Sequence, residues 1–411
     1  MDMKVRYWIW LWLAPLAGAQ PVSSLVEEAL RNNREILAAQ KKVEALRQRP
    51  TRESSLPDPT VGLGWASNGP PWPGAGLGVN PTSNLGVMVS QEVPAPGKLK
   101  LRGEIADEEA VAAFNEYLAT RLKVVSRLKQ AYHEMHHAAV AIGFVDRYQE
   151  LLNGMLRISE ARYGVGRGAQ QDILRGQTQL AIFATQRVRF EQEREAKQIE
   201  IDALLNRPQG GRIEVPADMT AGPMPASLED MLAQARANSP VVERDKEAVK
   251  GSELSASLAR KDYAPDYTVS GGYFNQGGMA PMWQARVDFK LPAYFWRKQR
   301  AAVNEQEASA SQARHEYAET LVEVEAGIRE QYSAAEASRK LMDLYEKSVI
   351  PEARLAYESA LAGYQAGRGD FISLFTSFTS VVDYELMDHE EIMRFHVAMA
   401  KLEELTGVEQ K

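Results

Sequence analysis

Residues 162–168, Arg-Tyr-Gly-Val-Gly-Arg-Gly, interrupt a long helical pattern, and residues 363–369, Gly-Tyr-Gln-Ala-Gly-Arg-Gly, do the same about 200 residues later. Aligned position by position, the identical residues of the two stretches include Tyr163 with Tyr364, Gly166 with Gly367, and Arg167 with Arg368. Further matches lie upstream in the same order and at nearly the same offset. The chain is therefore predicted to be a duplication of one structural plan.

The duplication divides the sequence into two repeats, residues 20–205 and 227–411, joined by a linker rich in proline and glycine at 206–226. Each repeat is predicted to contain a helix, two strands and a long helical hairpin. The 411 residues carry a net charge of −7, which argues against nucleic acid as a partner. The absence of cysteine excludes disulfides, thiolate metal sites and cysteine nucleophiles.

The first nineteen residues are typical of a secretory signal peptide. Lys4 and Arg6 precede an apolar run at 7–16, and Ala17-Gly18-Ala19 resembles a cleavage site. A retained membrane anchor is the alternative, but the run is too short to span a bilayer. No cysteine follows the site, so lipid attachment there is excluded, and the protein is predicted to act outside the cytoplasm.

Helical periodicity covers most of the remaining chain. Helices are predicted over 24–49, 98–161, 170–205 and 227–261, and two more follow on either side of the 363–369 turn, ending near Leu405. A run of about sixty residues gives a helix of about 95 Å, too long to bury a globular core alone, which predicts coiled-coil packing with other helices. Ser24 is predicted to cap the first helix, and Pro351 is predicted to kink a later one.

Four segments instead alternate with a period of two residues, around Val61–Trp65, Leu85–Val89, Tyr267–Tyr273 and Trp283–Leu291. The last places apolar side chains on one face and Gln284, Arg286, Asp288 and Lys290 on the other. This dyad fits a transmembrane β-strand with its polar face toward a water-filled lumen, although a soluble antiparallel sheet shows the same alternation. Four strands cannot close a water-filled barrel, so membrane insertion requires several chains to pool their strands.

The repeated order of helix, two strands and long hairpin, together with the paired tyrosine-glycine turns, resembles the TolC-type outer-membrane efflux channel family. Residues 91–99 and 56–59 resemble the branch of that family associated with heavy-metal efflux. The resemblance implies a mainly α-helical homotrimer whose four β-strands per chain form a shared twelve-stranded barrel in the outer membrane. Its duplicated hairpins would continue as an α-barrel across the periplasm and meet a periplasmic adaptor protein and an inner-membrane pump, with no cofactor.

The resemblance also places the glycine turns at the periplasmic tips of the hairpins, where an adaptor docks. The residues expected there are Tyr163, Gly164, Gly166, Arg167, Gly168, Tyr364, Gly367, Arg368 and Gly369. Glycine supplies the left-handed backbone that a tight turn between helices requires. Arg167 and Arg368 are expected either to present a cationic ring to a partner or to neutralise the helix C-termini beside them.

Asp172 and Asp370 follow the two turns and are candidates for an acidic gate. Channels of the family commonly narrow at acidic rings inside the second hairpin, whereas this chain has Ser373 and Thr376 at the matching positions. The alternative for both aspartates is a carboxylate stabilised by the positive end of a helix dipole.

His133, Met135, His136 and His137 form the densest group of soft-metal ligands. Histidines three or four residues apart on a helix are able to bind zinc or copper, but one helix offers only two such ligands at once, and a polar helix face is the simpler interpretation. The sequence shows no catalytic triad, phosphate loop or nucleotide fingerprint, so no enzyme activity is predicted.

Two alternatives to the efflux channel share parts of this pattern. A periplasmic adaptor or scaffold also uses coiled-coil hairpins, but such proteins usually carry one hairpin flanked by β-rich domains. The outer-membrane component of a protein secretion system has the same architecture as an efflux channel. The exported cargo, metal cations or small organic molecules, is not specified by the chain.

Overall fold

The structure, a computed structural model, describes residues 21–208, 210, 213–216, 219–224 and 226–408. The predicted signal peptide, residues 1–19, lies outside the described residues. Helices and one four-stranded sheet account for the ordered elements, which confirms the predicted mainly α-helical fold with a small β part.

The elements occur in the predicted order in both halves of the chain. The helices are α1 (Val22–Asn32), α2 (Arg34–Leu46), α3 (Arg49–Ser54), α4 (Lys98–Gly164), α5 (Gln170–Leu205), α6 (Leu228–Asn238), α7 (Pro240–Lys261), α8 (Lys298–Leu344), α9 (Ile350–Gln365) and α10 (Phe371–Thr406). The strands are β1 (Thr60–Ala66), β2 (Asn84–Val93), β3 (Asp266–Asn275) and β4 (Met282–Lys290). Among the described helices, none combines the length and the apolar composition needed to cross a bilayer.

The prediction of one helix over 24–49 is wrong, because Asn33 divides it. The Asn33 side-chain oxygen accepts hydrogen bonds from the main-chain N–H groups of Glu35 (2.9 Å) and Ile36 (3.2 Å) and so caps α2, while its amide nitrogen donates to the Leu204 carbonyl at 2.9 Å. Asparagine competes with the helical backbone in this way and is favoured at helix starts. Ser24 is not the cap of α1, since that helix already begins at Val22.

The corresponding break in the second half falls at Ser239, so the predicted helix 227–261 is also two helices. Pro240 opens α7 and holds the preceding residue extended, with Ser239 at φ −66° and ψ 117°. Ser227 caps α6, because its hydroxyl accepts the Asp230 main-chain N–H at 3.2 Å.

A π-helical turn, Tyr345–Val349, separates α8 from α9 immediately before Pro351. Proline lacks an N–H and its ring clashes with the carbonyl four residues earlier. One wider turn relieves both problems without ending the helical path. The sequence predicted a helix distortion at Pro351 but did not predict that it would be a π-helical turn.

The sheet is antiparallel throughout, in the order β1-β2-β3-β4, so β1 and β4 are its edges. Its register places Leu63 opposite Val87, Val87 opposite Tyr273, and Tyr273 opposite Trp283. These side chains share one face, and all are exposed. The other face carries mainly glycine, serine, threonine and charged residues, together with Met88 and Met282, so the predicted dyad extends across all four strands.

One aromatic ring interrupts the polar face of the sheet. Phe274 is buried and lies beside Gly86 and Gly272, where an added Cβ would overlap the ring, and near Gly64. Glycine at these positions leaves room for a large side chain to lie flat on the strands, an arrangement that stabilises glycine-containing sheets.

Within the described residues the chain forms two compact units. One comprises residues 21–37, 121–233 and 327–408, and the other comprises 38–120 and 234–326. The first contains both helical turns and a core cluster from four helices: Val145, Tyr148, Leu152, Met155, Phe183, Tyr364, Phe371, Leu374, Phe378 and Val382. The second contains the sheet and helices that bury mainly alanines, such as Ala106, Ala256 and Ala310. Small side chains let neighbouring helices approach closely.

Candidate functional site

The two glycine turns have the same backbone geometry. Gly166 donates to the Tyr163 carbonyl at 2.9 Å and Arg167 to the Arg162 carbonyl at 2.8 Å; Gly367 and Arg368 make the corresponding bonds at 3.0 and 2.9 Å. These are the two hydrogen bonds of a Schellman motif. Its left-handed position is Gly166 (φ 71°) in the first turn and Gly367 (φ 75°) in the second. Only glycine adopts this conformation without a steric cost, so the repeated glycine has a geometric cause.

The tyrosines of the two turns differ in their surroundings. Tyr163 is 47% exposed, whereas Tyr364 is 3% exposed. The Tyr364 hydroxyl lies 2.9 Å from Ser159 Oγ, and the Arg162 guanidinium donates to the Tyr364 main-chain carbonyl at 2.6 Å. The end of α4 therefore holds the second turn, while the equivalent tyrosine of the first turn presents half its surface.

A groove of about 580 Å³ lies between the two turns within the same unit. Its lining comes from the last three turns of α4 and from both glycine turns: Gly154, Arg157, Ile158, Ala161, Arg162, Val165, Arg167, Gln365, Ala366 and Gly367. Val165, Arg167 and Gly367 are exposed. The groove combines apolar and cationic side chains at the surface of the molecule.

The two candidate gate aspartates also occupy different local sites. Asp370 caps α10, because its carboxylate accepts the Ser373 main-chain N–H at 2.7 Å and the Ser373 hydroxyl at 3.1 Å. The main-chain N–H of Ser373 lowers the pKa of the Asp370 carboxyl. Asp172 lies in the first turn of α5, whose N-cap position is Ala169. Asp370 is thus the N-cap of α10, and its place in a gate stays a prediction.

The charged residues predicted for the lumen lie along β4. Gln284, Arg286 and Asp288 share the polar face of the sheet with their partners Gly272, Ser270 and Thr268, and Lys290 pairs with Asp266. The Arg286 guanidinium contacts the Asp288 carboxylate at 2.7 Å and is exposed. This part of β4 is polar and exposed to solvent.

The histidines do not form the predicted polar helix face. His133, His136 and His137 point from α4 toward His389 and His396 of α10, and His136 is 1% exposed. His133 stacks on His396 with ring centroids 4.4 Å apart, and the Nδ1 atoms of His137 and His389 are 3.1 Å apart. Sequence periodicity missed this pairing because the partners are about 250 residues distant.

A segment of the linker closes the histidine cluster. His136 Nε2 lies 2.8 Å from the Pro216 carbonyl, and His133 Nδ1 lies 3.0 Å from Met219 Sδ. Burial lowers the pKa of both His133 and His389 to about 3, so these two histidines are neutral at ordinary pH. Within the described part of the chain, no group of three or more histidine, aspartate or glutamate side chains is arranged to hold a metal ion.

Sequence analysis also missed a carboxylate that joins three helices. Glu385 of α10 is buried and contacts Arg147 of α4 at 2.7 Å and Arg354 of α9 at 2.6 Å. The Tyr148 hydroxyl donates to the same carboxylate, and burial together with this bond raises the pKa of Tyr148. Glu385 therefore connects the second hairpin to the first within one unit.

A family model described as outer membrane efflux protein matches residues 25–207 and 231–372. The solved outer-membrane channel OprN is 18% identical with a TM-score of 0.78, covering 94% of this chain and 89% of that one. CusC is 15% identical with a TM-score of 0.79 (94% and 92% covered), and VceC from Vibrio cholerae is 16% identical with a TM-score of 0.80 (95% and 97% covered). Identities this low indicate a shared fold alone, and no curated protein sequence gives a significant match.

Proposed function

The chain belongs to the outer membrane efflux protein family, and on this basis we propose that three copies form a passive duct through which an inner-membrane pump exports its substrate. It is an outer-membrane channel protein that extends into the periplasm, not an enzyme. The proposal assigns residues 20–205 and 227–411 to two repeats, 206–226 to their linker, and 1–19 to a leader that is removed.

The four-stranded sheet is the observation that supports a trimeric duct. One face is apolar and exposed, and both edges, β1 and β4, end the strand order of the chain. Exposed apolar strands are stable in lipid, but unpaired edge groups there cost several kcal/mol each, so the edges require partners. Three copies would pair β1 of one chain with β4 of the next and close a twelve-stranded barrel, which is wide enough for a water-filled lumen.

The groove between the glycine turns is the proposed docking site for the periplasmic adaptor. Arg167 lines the groove and is exposed, and Arg368 and Tyr163 are exposed on the same two turns outside its lining. Interfaces are enriched in such residues, because tyrosine and arginine bury area and form hydrogen bonds at once. Docking at this groove would separate the second turn from α4 and so favour an open tip.

Asp172 and Asp370 are proposed as the acidic ring of the gate, since both follow directly on the turns. Three copies would place six carboxylates around the axis, a charge that favours cations and disfavours closure through mutual repulsion. The cap bond of Asp370 to Ser373 fixes that carboxylate at the start of α10. Gln284, Arg286, Asp288 and Lys290 are proposed to solvate the barrel wall rather than to select the substrate.

Heavy-metal ions are the proposed cargo, on the resemblance of residues 91–99 and 56–59 to the metal-efflux branch. Protein secretion is the alternative cargo class for the same architecture. A deletion strain separates them: export of metal ions predicts sensitivity to those metals that the gene restores, whereas secretion predicts a missing extracellular protein with unchanged metal tolerance.

Membrane fractionation, detergent extraction and size measurement test the duct itself. The proposal expects a species of three chains in the outer membrane that conducts ions after reconstitution in planar bilayers. A monomer, or a species recovered in the soluble periplasmic fraction, would overturn it.

A further inference from the structure

The two repeats differ where the second strand of each pair joins its long helix. Pro94 and Pro292 correspond, and α4 and α8 begin at Lys98 and Lys298. Three residues, Ala95–Gly97, fill the interval in the first repeat, and five, Ala293–Arg297, fill it in the second. The longer junction contains Tyr294, Phe295 and Trp296 and leads into Arg297, Lys298 and Arg300. We call residues 294–300 the aromatic-basic junction.

The shorter junction of the first repeat is directed into the protein. Lys98 is 3% exposed and lies 2.9 Å from the carboxylates of both Asp262 and Asp266. Asp266 also accepts the Ala95 main-chain N–H at 2.8 Å, and Ala95 is buried. The polar groups of this junction are thus satisfied within the chain.

The aromatic-basic junction is directed outward. Tyr294, Phe295 and Trp296 are 69%, 51% and 56% exposed. Their rings contact one another edge to face, with centroids 5.2 Å apart for Phe295 and Trp296 and 6.1 Å for Tyr294 and Trp296. Main-chain bonds from Arg297 and Lys298 to the Tyr294 carbonyl, at 3.0 and 2.9 Å, fix the turn. The patch is therefore a formed surface of the protein.

The cations of this junction are not paired with carboxylates within the described part of the chain. Arg297, Lys298 and Arg300 are all exposed, and no carboxylate in the described ranges makes an ion pair with any of them. A contact with a second protein would be favourable only if that protein supplied carboxylates for all three cations, because burying unpaired charges is costly. A membrane interface avoids this cost, because the charges stay in the headgroup layer while the rings enter the acyl boundary.

The position of the aromatic-basic junction relative to the sheet favours lipid as its binding partner. β4 ends at Lys290, and the apolar face that carries Trp283, Val287 and Phe289 continues to Leu291, which is exposed. The junction follows within a few residues, on the helical side of the sheet, which in this family is the periplasmic side. Aromatic residues mark membrane interfaces, and clustered cations attract anionic headgroups.

We propose that residues 294–300 bind an anionic phospholipid in the periplasm-facing leaflet of the outer membrane, the three cations contacting its phosphate and the three rings its upper acyl chains. This inference rests on the proposed function, because it requires the strands to cross the membrane. It goes beyond the proposed function by naming the class of lipid that is bound and the binding segment, which is present only in the second repeat.

Quenching of Trp296 fluorescence by brominated lipids tests the inference. The trimer is reconstituted at a series of mole fractions of brominated phosphatidylglycerol or, separately, of brominated phosphatidylcholine, and the Trp296→Phe variant isolates the Trp296 signal by difference. We expect the anionic lipid to quench Trp296 at a mole fraction about tenfold lower than the zwitterionic lipid does. Equal quenching by both lipids would overturn the anionic preference, and no quenching by either would place Trp296 against protein and overturn the inference altogether.

A charge-matched pair of variants assigns the preference to the cations. The triple substitution Arg297→Gln, Lys298→Gln, Arg300→Gln should abolish the tenfold preference and retain quenching. The control triple Arg189→Gln, Lys340→Gln, Lys347→Gln removes the same charge from exposed positions of the unit without strands and should retain the preference. Oligomer size and ion conductance are measured on the same wild-type preparation. A preparation that is not trimeric or does not conduct ions counts against the duct, whereas a conducting trimer without a lipid preference counts against this inference alone.

Discussion

Arg162 contacts Tyr364 in two ways, with its guanidinium 4.4 Å from the ring centroid and donating to the main-chain carbonyl at 2.6 Å. The contact joins the last turn of the first hairpin's ascending helix to the turn of the second hairpin. Because Tyr163 has no equivalent burial, the two turns are held with different strength. Contacts with α4 therefore stabilise the second turn more than the first.

Loosening this contact should free the second turn. Tyr364→Phe removes the hydroxyl bond to Ser159, worth about 1 kcal/mol, and Arg162→Ala removes a charged hydrogen bond worth about 1.5–3 kcal/mol. Amide hydrogen exchange over residues 363–369 should therefore accelerate about fivefold in the first variant and more in the second. Single-channel conductance in planar bilayers should rise in the same order. Tyr163→Phe is the matched control, and an equal effect from it would contradict the asymmetry.

The left-handed glycines of the turns allow a test of backbone geometry without packing changes. A Cβ added at Gly166 or Gly367 meets no atom within 4 Å, and the same holds for Gly164 and Gly363. Gly166→Ala and Gly367→Ala should each destabilise the turn by about 1 kcal/mol, because alanine is strained at positive φ. Gly164→Ala and Gly363→Ala, without positive φ, should be neutral or slightly stabilising. Adaptor binding measured by titration calorimetry should weaken only in the first pair.

Adjacent positions of β4 test which face of the sheet contacts lipid. Ala285 lies on the apolar face opposite Gly271, and Gln284 lies on the polar face opposite Gly272. Ala285→Arg places a charge in the hydrocarbon region at a cost of about 2–4 kcal/mol, whereas Gln284→Arg faces water at little cost. Folding into lipid vesicles, followed by gel mobility, should be impaired only in the first variant. Impairment by Gln284→Arg instead would reverse the assignment of the faces.

The sequence predicted the elements that depend on local chemistry. Alternation located all four strands, and the glycine turns were located because positive φ restricts the choice of residue. The breaks at Asn33 and Ser239 were missed since apolar spacing continues across them, although Asn33 as a cap and Pro240 as a first helical residue were both visible. The family match confirms the predicted outer-membrane location.

Contacts distant in sequence were not predictable from periodicity. His389 and Glu385 appear on α10 as ordinary helix residues, and only the packing of α10 on α4 brings them to His137 and Arg147. The same holds for Phe274, whose place on the polar face contradicts simple alternation and depends on glycines of three strands. No single helix or strand contains the information for these contacts.

Glu385 should be the most sensitive carboxylate of the second hairpin. Glu385→Gln leaves Arg147 and Arg354 without their shared charged partner; both arginines are half exposed, so water recovers part of the loss and a cost of about 1–3 kcal/mol is expected. Urea unfolding followed by circular dichroism measures it. Glu390→Gln, which removes a surface partner of Arg394, should change stability by no more than about 0.5 kcal/mol. Similar losses in the free energy of unfolding for both variants would show that Glu385 stabilises the fold no more than a surface carboxylate does.

The buried histidines predict that acid destabilises the helical unit that contains them. The folded-state pKa of His133 and of His389 is about 3, below the unfolded value of 6.5, so the unfolded chain binds more protons below pH 6.5. Stability is full above that pH and falls as the pH decreases toward 3. At pH 5 each histidine should cost about 2 kcal/mol relative to pH 8.

Charged groups near the histidines also affect how stability depends on pH, so the experiment needs a control variant. Lys129 faces His133, while Glu193, Glu390 and Arg394 face His137. Burial also raises the pKa of Asp388 to about 6, which acts in the opposite direction, since a raised carboxyl gains stability as the pH falls. The comparison is therefore made between variants at each pH and not from the wild-type curve alone.

His389→Gln and His315→Gln form the decisive pair, because His315 is the exposed histidine of α8. Thermal unfolding of the reconstituted protein is followed at pH 8 and pH 5. The loss of stability between these values should shrink by about 2 kcal/mol in His389→Gln and stay unchanged in His315→Gln. If both variants keep the wild-type loss, acid does not act through the cluster, because a histidine that stays neutral in the folded state must lose its contribution to the pH dependence when it is replaced.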